Sequence, residues 1–540
     1  MEFEIGNIAF CTCALAGWLD IIMVLVLCAM LMAGYPVAFS LAGTALIFAV
    51  LGVAAGVFDI SYLIPFPQRV FGAVTNTTLI AVPMFILMGV ILEKSKIAEE
   101  LLDEMAKLFG SLPGGLGLSV TIVGALLAAS TGIVGATVVT MGLLSLPTML
   151  RRGYDPAFAS GSIAAAGTLG QIIPPSIVLI LLGDVISNAY QRAQLEQGNM
   201  SPDTVSVGHL FAGALFPGLM LVGFYLLWQI FIAVTQPKKA PAIPAAELGS
   251  RADVWRAAMK TLPAPLLLII AVLGSILGGV ATPTEAASVG AIGALLIAGA
   301  RLAPKGSLLA GRHAVWVSAL AIFALLLLTA NFDLRLGREN ASSLETFGIG
   351  LAFVCFALTP WGILASLFQL RREKALSPIL DQTARVTTMV FTILIGAALF
   401  SLVFRGLGGD DTVRHALEAT PGGVMGAVIT VMLVMFVLGF FLDFIEITLV
   451  VVPLVGPPLL AMGLDPVWLG VMMAINLQTS FLTPPFGFAL FYLRGVAPPE
   501  VSTMQIYRGA LPYIAIQLLA LGVIALWPQI ATWLPGLLYK

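Results

Sequence analysis

The amino-acid sequence predicts an all-α polytopic membrane protein. Hydrophobic residues make up 59% of its 540 residues and charged residues only 10%, whereas soluble domains carry about a quarter charged residues. Apolar runs of about 20 residues recur along the whole chain, and each could cross about 30 Å of hydrocarbon as a helix. The runs lack the alternation of polar and apolar residues that strands of a membrane barrel would show.

Twelve of these runs are predicted to cross the membrane fully. They lie near 10–34, 37–56, 78–92, 157–183, 208–234, 261–279, 283–300, 314–331, 346–370, 386–404, 467–493 and 508–527. Two further apolar stretches, 117–150 and 424–461, are each interrupted by glycine and polar residues. We interpret them as re-entrant hairpins, the first hairpin and the second hairpin. The segment 93–110 is amphipathic and is expected to lie along the inner surface.

The positions of the basic residues predict the orientation. With the N-terminus outside, 19 of the 26 lysine and arginine residues fall in inner segments. The outer seven are Arg69, Arg192, Arg335, Arg338, Arg405, Arg414 and Lys540. Because basic residues concentrate in cytoplasmic segments, both termini are expected to be periplasmic in a bacterial inner membrane. No basic residue precedes Arg69, so the first run is expected to remain as a span and not to be a cleaved signal peptide.

An internal repeat relates two parts of the chain at a separation of 310 residues. Residues 147–156 match 457–466 through a shared proline, glycine and Asp-Pro pair. Eighteen residues beyond the Asp-Pro pair, each copy contains two successive prolines. We call them the first break (Pro174-Pro175) and the second break (Pro484-Pro485). In the predicted layout the first hairpin opens inward and the second outward. Inverted repeats with interrupted helices indicate a transporter whose site lies at the bilayer midplane.

The chemistry of such a site follows from the two breaks. Proline has no N–H donor and stops a helix, which frees carbonyl groups before the break and amide groups after it. The carbonyl end of a half-helix attracts a cation, and the amide end attracts a carboxylate. A hairpin tip packed against a break would therefore form an ion site without a charged side chain.

Several stretches together resemble one known family. These stretches are STGIVGATVV (130–139), GYDPAFASGSIAAAGTLGQIIPPS (153–176), GGVATPTEAASV (278–289), GFFLDFIEIT (439–448) and NLQTSFLTPPFG (476–487). They resemble the large membrane subunit of tripartite ATP-independent periplasmic (TRAP) transporters over about 35–306 and 380–520. The resemblance implies an elevator-type fold like that of the ion-transporter superfamily and uptake of an organic acid driven by a sodium gradient. It also implies two partners, a small membrane subunit and a periplasmic substrate-binding protein.

The resemblance also implies site residues. The first sodium site would involve Ala129, Ser130, Thr131, Gly132, Gly170, Ile173 and Pro175. The second would involve Gly439, Ser480, Thr483 and Phe486. The substrate would lie between the hairpin tips, near Thr137, Thr168, Gln171, Asp443, Asn476 and Gln478. Sodium would act as the coupling ion, and no other cofactor is expected.

Some residues have two interpretations. Asp443 and Glu446 could couple ions at the second tip, or they could accept hydrogen bonds from amides at a helix start, an interpretation that we favour for Glu446. Glu285 is interpreted as a helix cap. Asp155 and Asp465 are interpreted as turn residues.

The predicted domain organisation follows the repeats. It comprises N-terminal scaffold helices (1–76), repeat 1 (77–186), central scaffold helices (187–306), a two-helix insertion (307–379), repeat 2 (380–495) and a C-terminal helix (496–540). The chain has no G-x-x-x-x-G-K-[ST] motif for ATP and no H-E-x-x-H motif, so an enzyme is not expected. The alternatives are a stand-alone sodium-carboxylate carrier and a channel or scaffold subunit.

Overall fold

The computed structural model describes residues 17–132, 134–244, 250–303, 312–334 and 343–539. Within these ranges every regular element is a helix, which confirms the predicted all-α class. Nine helices are long and apolar enough to span a membrane, or ten spans if one bent pair is added, so the chain is a multi-pass membrane protein. Eight of the twelve predicted spans are among the nine, and the ninth, Val134–Arg151, belongs to the first hairpin. The predicted spans 157–183 and 467–493 are each divided into shorter helices, and the described helices at 10–34 and 78–92 are only 14 residues long.

The N-terminal helices end with the amphipathic segment. They are α1 (Leu19–Met32), α2 (Val37–Ala54), α3 (Phe66–Thr75), α4 (Ala81–Lys94) and α5 (Ile97–Phe109). Helix α5 confirms the predicted helical pattern, since Ile97, Leu101, Leu102 and Met105 are buried against the bundle. Its acidic residues Glu99 and Glu100 lie in the first turn, where the helix dipole favours negative charge.

The first hairpin leads into the first broken helix. The hairpin consists of α6 (Gly115–Thr131) and α7 (Val134–Arg151), and the broken helix of α8 (Pro156–Thr168) and α9 (Ile177–Glu196). At the base of the hairpin, the Leu116 N–H donates to the Tyr154 hydroxyl at 3.3 Å. The start of α6 therefore lies beside the residues that follow α7, as in a chain that enters and leaves at one end.

The central part contains long helices and the insertion. These helices are α10 (Val207–Thr235), α11 (Arg251–Thr261), α12 (Pro263–Leu277), α13 (Pro283–Leu302), α14 (Arg312–Asn331), α15 (Ser343–Arg372), α16 (Leu376–Gly406) and α17 (Gly409–Glu418). The two insertion helices, α14 and α15, are joined by Ser318, whose hydroxyl accepts from the Gly362 N–H at 2.7 Å. Helix α13 begins with a capping box between Thr282 and Glu285, as predicted for Glu285.

The second hairpin and second broken helix complete the chain. They comprise α18 (Gly423–Leu438), α19 (Phe444–Val450), α20 (Val452–Ala461), α21 (Pro466–Leu482) and α22 (Phe488–Val496), followed by α23 (Thr503–Leu526) and α24 (Gln529–Leu538). The second hairpin differs from the predicted two helices, because its returning limb bends by 55° between α19 and α20. Pro453 explains the bend, since it cannot donate to Leu449 and its ring crowds that carbonyl.

Local backbone features recur at the 310-residue separation. Gly153 and Gly463 both have positive φ angles, of 79° and 88°. Asp155 and Asp465 are not only turn residues but N-caps, whose carboxylates accept from backbone N–H groups at 2.9 Å and 2.8 Å. Both capped helices begin with proline, at Pro156 and Pro466, and the peptide bond is cis at both breaks.

The core of the molecule surrounds the first halves of the two broken helices. Every residue of α21 is buried, and α8 is buried from Phe158 onward. Helix α23 approaches α8 backbone to backbone, because a Cβ added to Gly509 would lie 1.9 Å from the Ala157 carbonyl oxygen. Helix α10 also contacts the first broken helix, through Gly218 against Ile173. Helices α10 and α23 thus pack directly on the elements that carry the predicted site.

Candidate transport site

The first hairpin tip packs against the start of α9. Gly132 has a φ angle of 60°, and a Cβ added there would lie 3.1 Å from the Ile177 nitrogen. Glycine allows both the left-handed backbone and the close approach. The side chains of Ala129, Ser130 and Thr131 lie outside the described residues, so their predicted roles as sodium ligands stay predictions.

The first break is a short irregular segment between α8 and α9. A 3₁₀ turn (Leu169–Gln171) follows α8, and regular structure resumes only at Ile177. The Ile173 N–H donates to the Leu169 carbonyl at 3.0 Å, and the Ser176 hydroxyl donates to the Gln171 carbonyl at 3.1 Å. Gly170 and Ile173, two of the predicted sodium residues, are buried here, within a backbone that the prolines deprive of donors.

The second tip packs against the helix end before the second break. A Cβ added to Gly439 would lie 2.1 Å from the Ser480 hydroxyl oxygen, so only glycine fits at this position without displacement. Beside this contact, the Phe441 and Phe486 rings lie 5.5 Å apart. The structure therefore brings Gly439 against Ser480, and Phe486 against Phe441, two residues beyond Gly439. Their roles as sodium ligands stay predictions.

Near the second break, the Ser480 and Thr483 hydroxyl groups both donate hydrogen bonds to backbone carbonyls. The Ser480 hydroxyl donates to the Leu477 carbonyl at 2.8 Å, and the Thr483 hydroxyl donates to the Thr479 carbonyl at 2.7 Å. A hydroxyl that donates in one direction presents oxygen lone pairs in the others. Ser480 and Thr483 can therefore offer oxygen atoms to a hard cation such as sodium.

Equivalent residues of the two repeats touch each other. The Gln478 side-chain amide donates to the Thr168 hydroxyl at 3.3 Å, and these two residues are 310 positions apart. This is the separation that aligns the repeats, so a two-fold axis relating them would pass near this contact. Both residues are fully buried. The predicted substrate residues Thr168 and Gln478 thus lie at the junction of the two halves.

A buried polar cluster surrounds this junction, and four of its residues were not predicted. The Tyr225 hydroxyl accepts from Gln478 at 3.5 Å and from Gln517 at 2.7 Å. Gln229 donates to Tyr513 at 3.1 Å, and the Tyr225 and Tyr513 rings meet edge to face at 5.1 Å. Amide side chains inside otherwise apolar spans were the available sequence signal, because such groups require partners in a membrane.

The other predicted substrate residues are used differently. The Asn476 amide donates to the Met432 carbonyl at 2.8 Å and so ties α21 to α18. Thr137 is buried in α7. Gln171 is fully buried, and neither its amide nitrogen nor its carbonyl oxygen forms a hydrogen bond with the described residues. A buried amide without partners costs free energy, which makes Gln171 a candidate for contact with a bound ion or substrate.

Asp443 and Glu446 form a capping box at the start of α19. An Asp443 carboxylate oxygen accepts from the Phe444 N–H at 2.7 Å, and Glu446 accepts from the Asp443 N–H at 2.9 Å. The geometry favours the capping interpretation, because both carboxylates are engaged by backbone donors. Asp443 would then shape the tip and not contact the substrate directly.

This geometry predicts different outcomes for two substitutions of Asp443. Asparagine caps helices about as well as aspartate, so Asp443→Asn should retain sodium-dependent uptake. Asp443→Ala should destabilise the protein by about 1 kcal/mol, because one backbone donor loses its acceptor. Uptake assays and thermal unfolding in detergent would measure both effects. Loss of sodium dependence in Asp443→Asn at unchanged stability would instead establish the ion-coupling interpretation.

Comparisons with known proteins agree on one family. The family model described as "Tripartite ATP-independent periplasmic transporter, DctM component" matches residues 24–530. A C4-dicarboxylate TRAP transporter large permease protein of Vibrio cholerae is 28% identical over 94% of this chain and 96% of its own length. An ectoine TRAP transporter large permease protein of Halomonas elongata is 26% identical over 96% of this chain and 99% of its own length.

A solved structure shares the fold. The YdaH transporter of Alcanivorax borkumensis superimposes with a TM-score of 0.52 at 14% identity, over 96% of this chain and 98% of that protein. At this identity the likeness concerns the fold alone.

Proposed function

Because the chain belongs to the DctM component family of tripartite ATP-independent periplasmic transporters, it is a transporter permease subunit and not an enzyme, and we propose that it takes up a small organic anion with sodium as the coupling ion. It would act in the bacterial inner membrane as the large translocating subunit, with both termini periplasmic. A small membrane subunit and a periplasmic substrate-binding protein would be its partners.

The observation that carries this proposal is that each hairpin tip packs against its own proline break. Gly132 contacts the start of α9, and Gly439 contacts Ser480 at the end of α21. The first junction is buried, whereas the second extends from buried Ser480 to exposed Pro485 and Phe486. Backbone carbonyls and amides that the prolines free at such a junction would suit a sodium ion beside a carboxylate. The contact between Thr168 and Gln478 joins the two junctions.

Contacts at the hairpin bases support the inverted arrangement. The first hairpin returns to Tyr154, one residue before the N-cap of α8. The second hairpin ends at Ala461, whose carbonyl accepts from the Gln197 side chain at 2.7 Å, just beyond the end of α9. The two bases therefore lie at opposite ends of the first broken helix, as expected for units that open to opposite sides.

The moving unit would be larger than the repeats alone. Tyr225 and Gln229 of α10, with Tyr513 and Gln517 of α23, form the buried cluster around Gln478. Breaking such a buried network is costly. We therefore place α10 and α23 with the broken helices and hairpins in an elevator unit, whereas the predicted division assigned them to scaffold and C-terminal segments.

Transport in proteoliposomes tests the proposal. The chain would be reconstituted with its small subunit, and uptake of radiolabelled organic acids would be measured with and without the binding protein and an inward sodium gradient. The panel would include a C4-dicarboxylate, sialic acid and ectoine, which the names of the relatives mention. We expect saturable uptake that requires both the gradient and the binding protein.

Two outcomes would favour the alternatives. Uptake of free substrate without the binding protein would identify a stand-alone carrier. Flux that neither saturates nor responds to sodium would identify a channel.

A further inference from the structure

A second polar cavity lies apart from the hairpin tips. It has a volume of about 500 Å³ and is bounded by α3 and α16 on one side and by α9, α19 and α20 on the other. Its lining includes Arg69, Arg192 and Arg405, together with Asn76 and Asp184. Among the predicted sodium and substrate residues whose side chains the structure describes, none lines it.

The cavity runs along α16 toward the middle of the bundle. Arg405 lies near the end of this helix and Leu394 lies eleven residues earlier, and both line the cavity. At 1.5 Å per residue, these positions are about 16 Å apart along the helix axis. On α9, Arg192 likewise lies two turns beyond Asp184, toward the helix end. Arg192 and Arg405, which share Asp410, therefore lie toward one end of the cavity, the end that the charge distribution predicts to be periplasmic.

Acidic partners neutralise only part of this positive charge. Asp410 forms ion pairs with both Arg192 and Arg405, and Glu196 is shared between Arg192 and Arg414. Two carboxylates thus serve three arginines, Arg192, Arg405 and Arg414. Within the described part of the chain, the Arg69 side chain forms neither a hydrogen bond nor an ion pair. Deeper in the cavity, the Asp184 carboxylate accepts from the amides of Asn76 and Asn188 at 2.9 Å and 3.3 Å.

Two arginine nitrogen atoms have unused hydrogen-bonding capacity. Arg192 Nη1 is buried and forms no hydrogen bond with the described residues. Arg405 Nε is also buried, and its contact with Asp410 is an ion pair of 3.5 Å and not a hydrogen bond. A guanidinium N–H that is removed from water without an acceptor is costly. Charged residues of this kind within membrane proteins face cavities on substrate pathways. The missing acceptor is an oxyanion, and guanidinium forks match a carboxylate with two parallel hydrogen bonds.

We propose that this cavity is an entry site that binds the carboxylate of an organic anion through Arg69, Arg192 and Arg405, before the anion reaches the hairpin tips. Small and apolar walls, such as Ala397, Ala398 and Leu449, would accept the remainder of the molecule. The direction of passage rests on the proposed uptake function. The binding itself does not, and it can be measured in detergent without transport.

Charge-selective labelling of a cysteine in the cavity tests the entry site. Gly72 lines the cavity, and a Cβ added there meets no heavy atom within 4 Å, so Gly72→Cys fits without strain. The four native cysteines, Cys11, Cys13, Cys28 and Cys355, would first be replaced by alanine. The rate of labelling would then be compared for an anionic and a cationic methanethiosulfonate reagent of similar size.

At Gly72→Cys, we expect the ratio of the anionic to the cationic labelling rate to be about tenfold higher than at an exposed reference cysteine, because arginines concentrate anions locally. Met200→Cys provides this reference, since Met200 is 89% exposed. Arg69→Gln should bring the ratio at Gly72→Cys toward that of the reference. Arg414→Gln is the matched control, because Arg414 pairs with Glu196 but does not line the cavity, and it should leave the ratio unchanged.

Protection by ligands completes the test. Succinate should slow labelling of Gly72→Cys but not of Met200→Cys, and Arg69→Gln should weaken this protection several-fold. Equal rates for the two reagents would overturn the proposal. Protection by inorganic phosphate but not by succinate would also overturn it, since the site would then suit a phosphate, such as a lipid headgroup, and not a carboxylate. A transporter without sodium-driven uptake would contradict the proposed function yet leave these labelling results interpretable.

Discussion

Gly439→Ala is expected to remove most sodium-dependent uptake while leaving the protein folded. The added Cβ would lie 2.1 Å from the Ser480 hydroxyl oxygen and 2.7 Å from the Ser480 Cβ. Because the Ser480 Cβ cannot rotate aside, the second hairpin tip must move away from the break. Forcing one extra carbon into a packed contact costs about 1–3 kcal/mol. If that cost falls on the ion-bound state, sodium affinity drops roughly 5- to 150-fold.

The sodium dependence of initial uptake rates in proteoliposomes measures this effect. Gly495→Ala is the matched control, because Gly495 lies in α22 of the same repeat and a Cβ there meets no heavy atom within 4 Å. Thermal unfolding in detergent would establish that both variants fold. An unchanged sodium dependence in Gly439→Ala would remove the second tip from the ion site.

Gly509→Ala is expected to destabilise the whole protein. Its Cβ would lie 1.9 Å from the Ala157 carbonyl oxygen, a backbone atom that cannot rotate aside. Helices α8 and α23 would have to separate, and the Ser162–Tyr513 hydrogen bond of 2.9 Å, one turn further along, would lengthen or break. We expect a loss of about 1–3 kcal/mol from overpacking and about 1 kcal/mol more from the hydrogen bond.

Gly522→Ala supplies a control within the same helix. Its Cβ meets no heavy atom within 4 Å, and alanine is a better helix former than glycine by about 1 kcal/mol. This variant should therefore unfold at an unchanged or higher temperature, whereas Gly509→Ala should unfold at a lower one. Tryptophan fluorescence during heating in detergent would report both. Similar unfolding temperatures for the two variants would contradict the close packing of α8 and α23.

The features that the sequence predicted correctly depend on residues close together in the chain. Apolar runs set the all-helical membrane class. The turns predicted at Asp155 and Asp465, which Gly153 and Gly463 permit through positive φ angles, and the helix breaks at the paired prolines follow from local backbone preferences. The sequence also placed Thr168 and Gln478 together near the predicted substrate, and the two residues are in contact.

Two local features were not predicted or had been left open. The bend between α19 and α20 follows from Pro453, which lies within the returning limb of the second hairpin. The capping box that joins Asp443 to Glu446 distinguished two interpretations that the sequence alone had left open.

By itself, the amino-acid sequence determined the membrane class, the repeat and the positions of the helix breaks, because hydropathy, glycine and proline act over a few residues. Only the tertiary structure decided that α10 and α23 close around the Thr168–Gln478 junction and that Arg69, Arg192 and Arg405 surround one cavity. Long, uniformly apolar helices do not reveal in sequence which face meets which neighbour, since small residues and scattered polar groups select the partners only after the helices have packed.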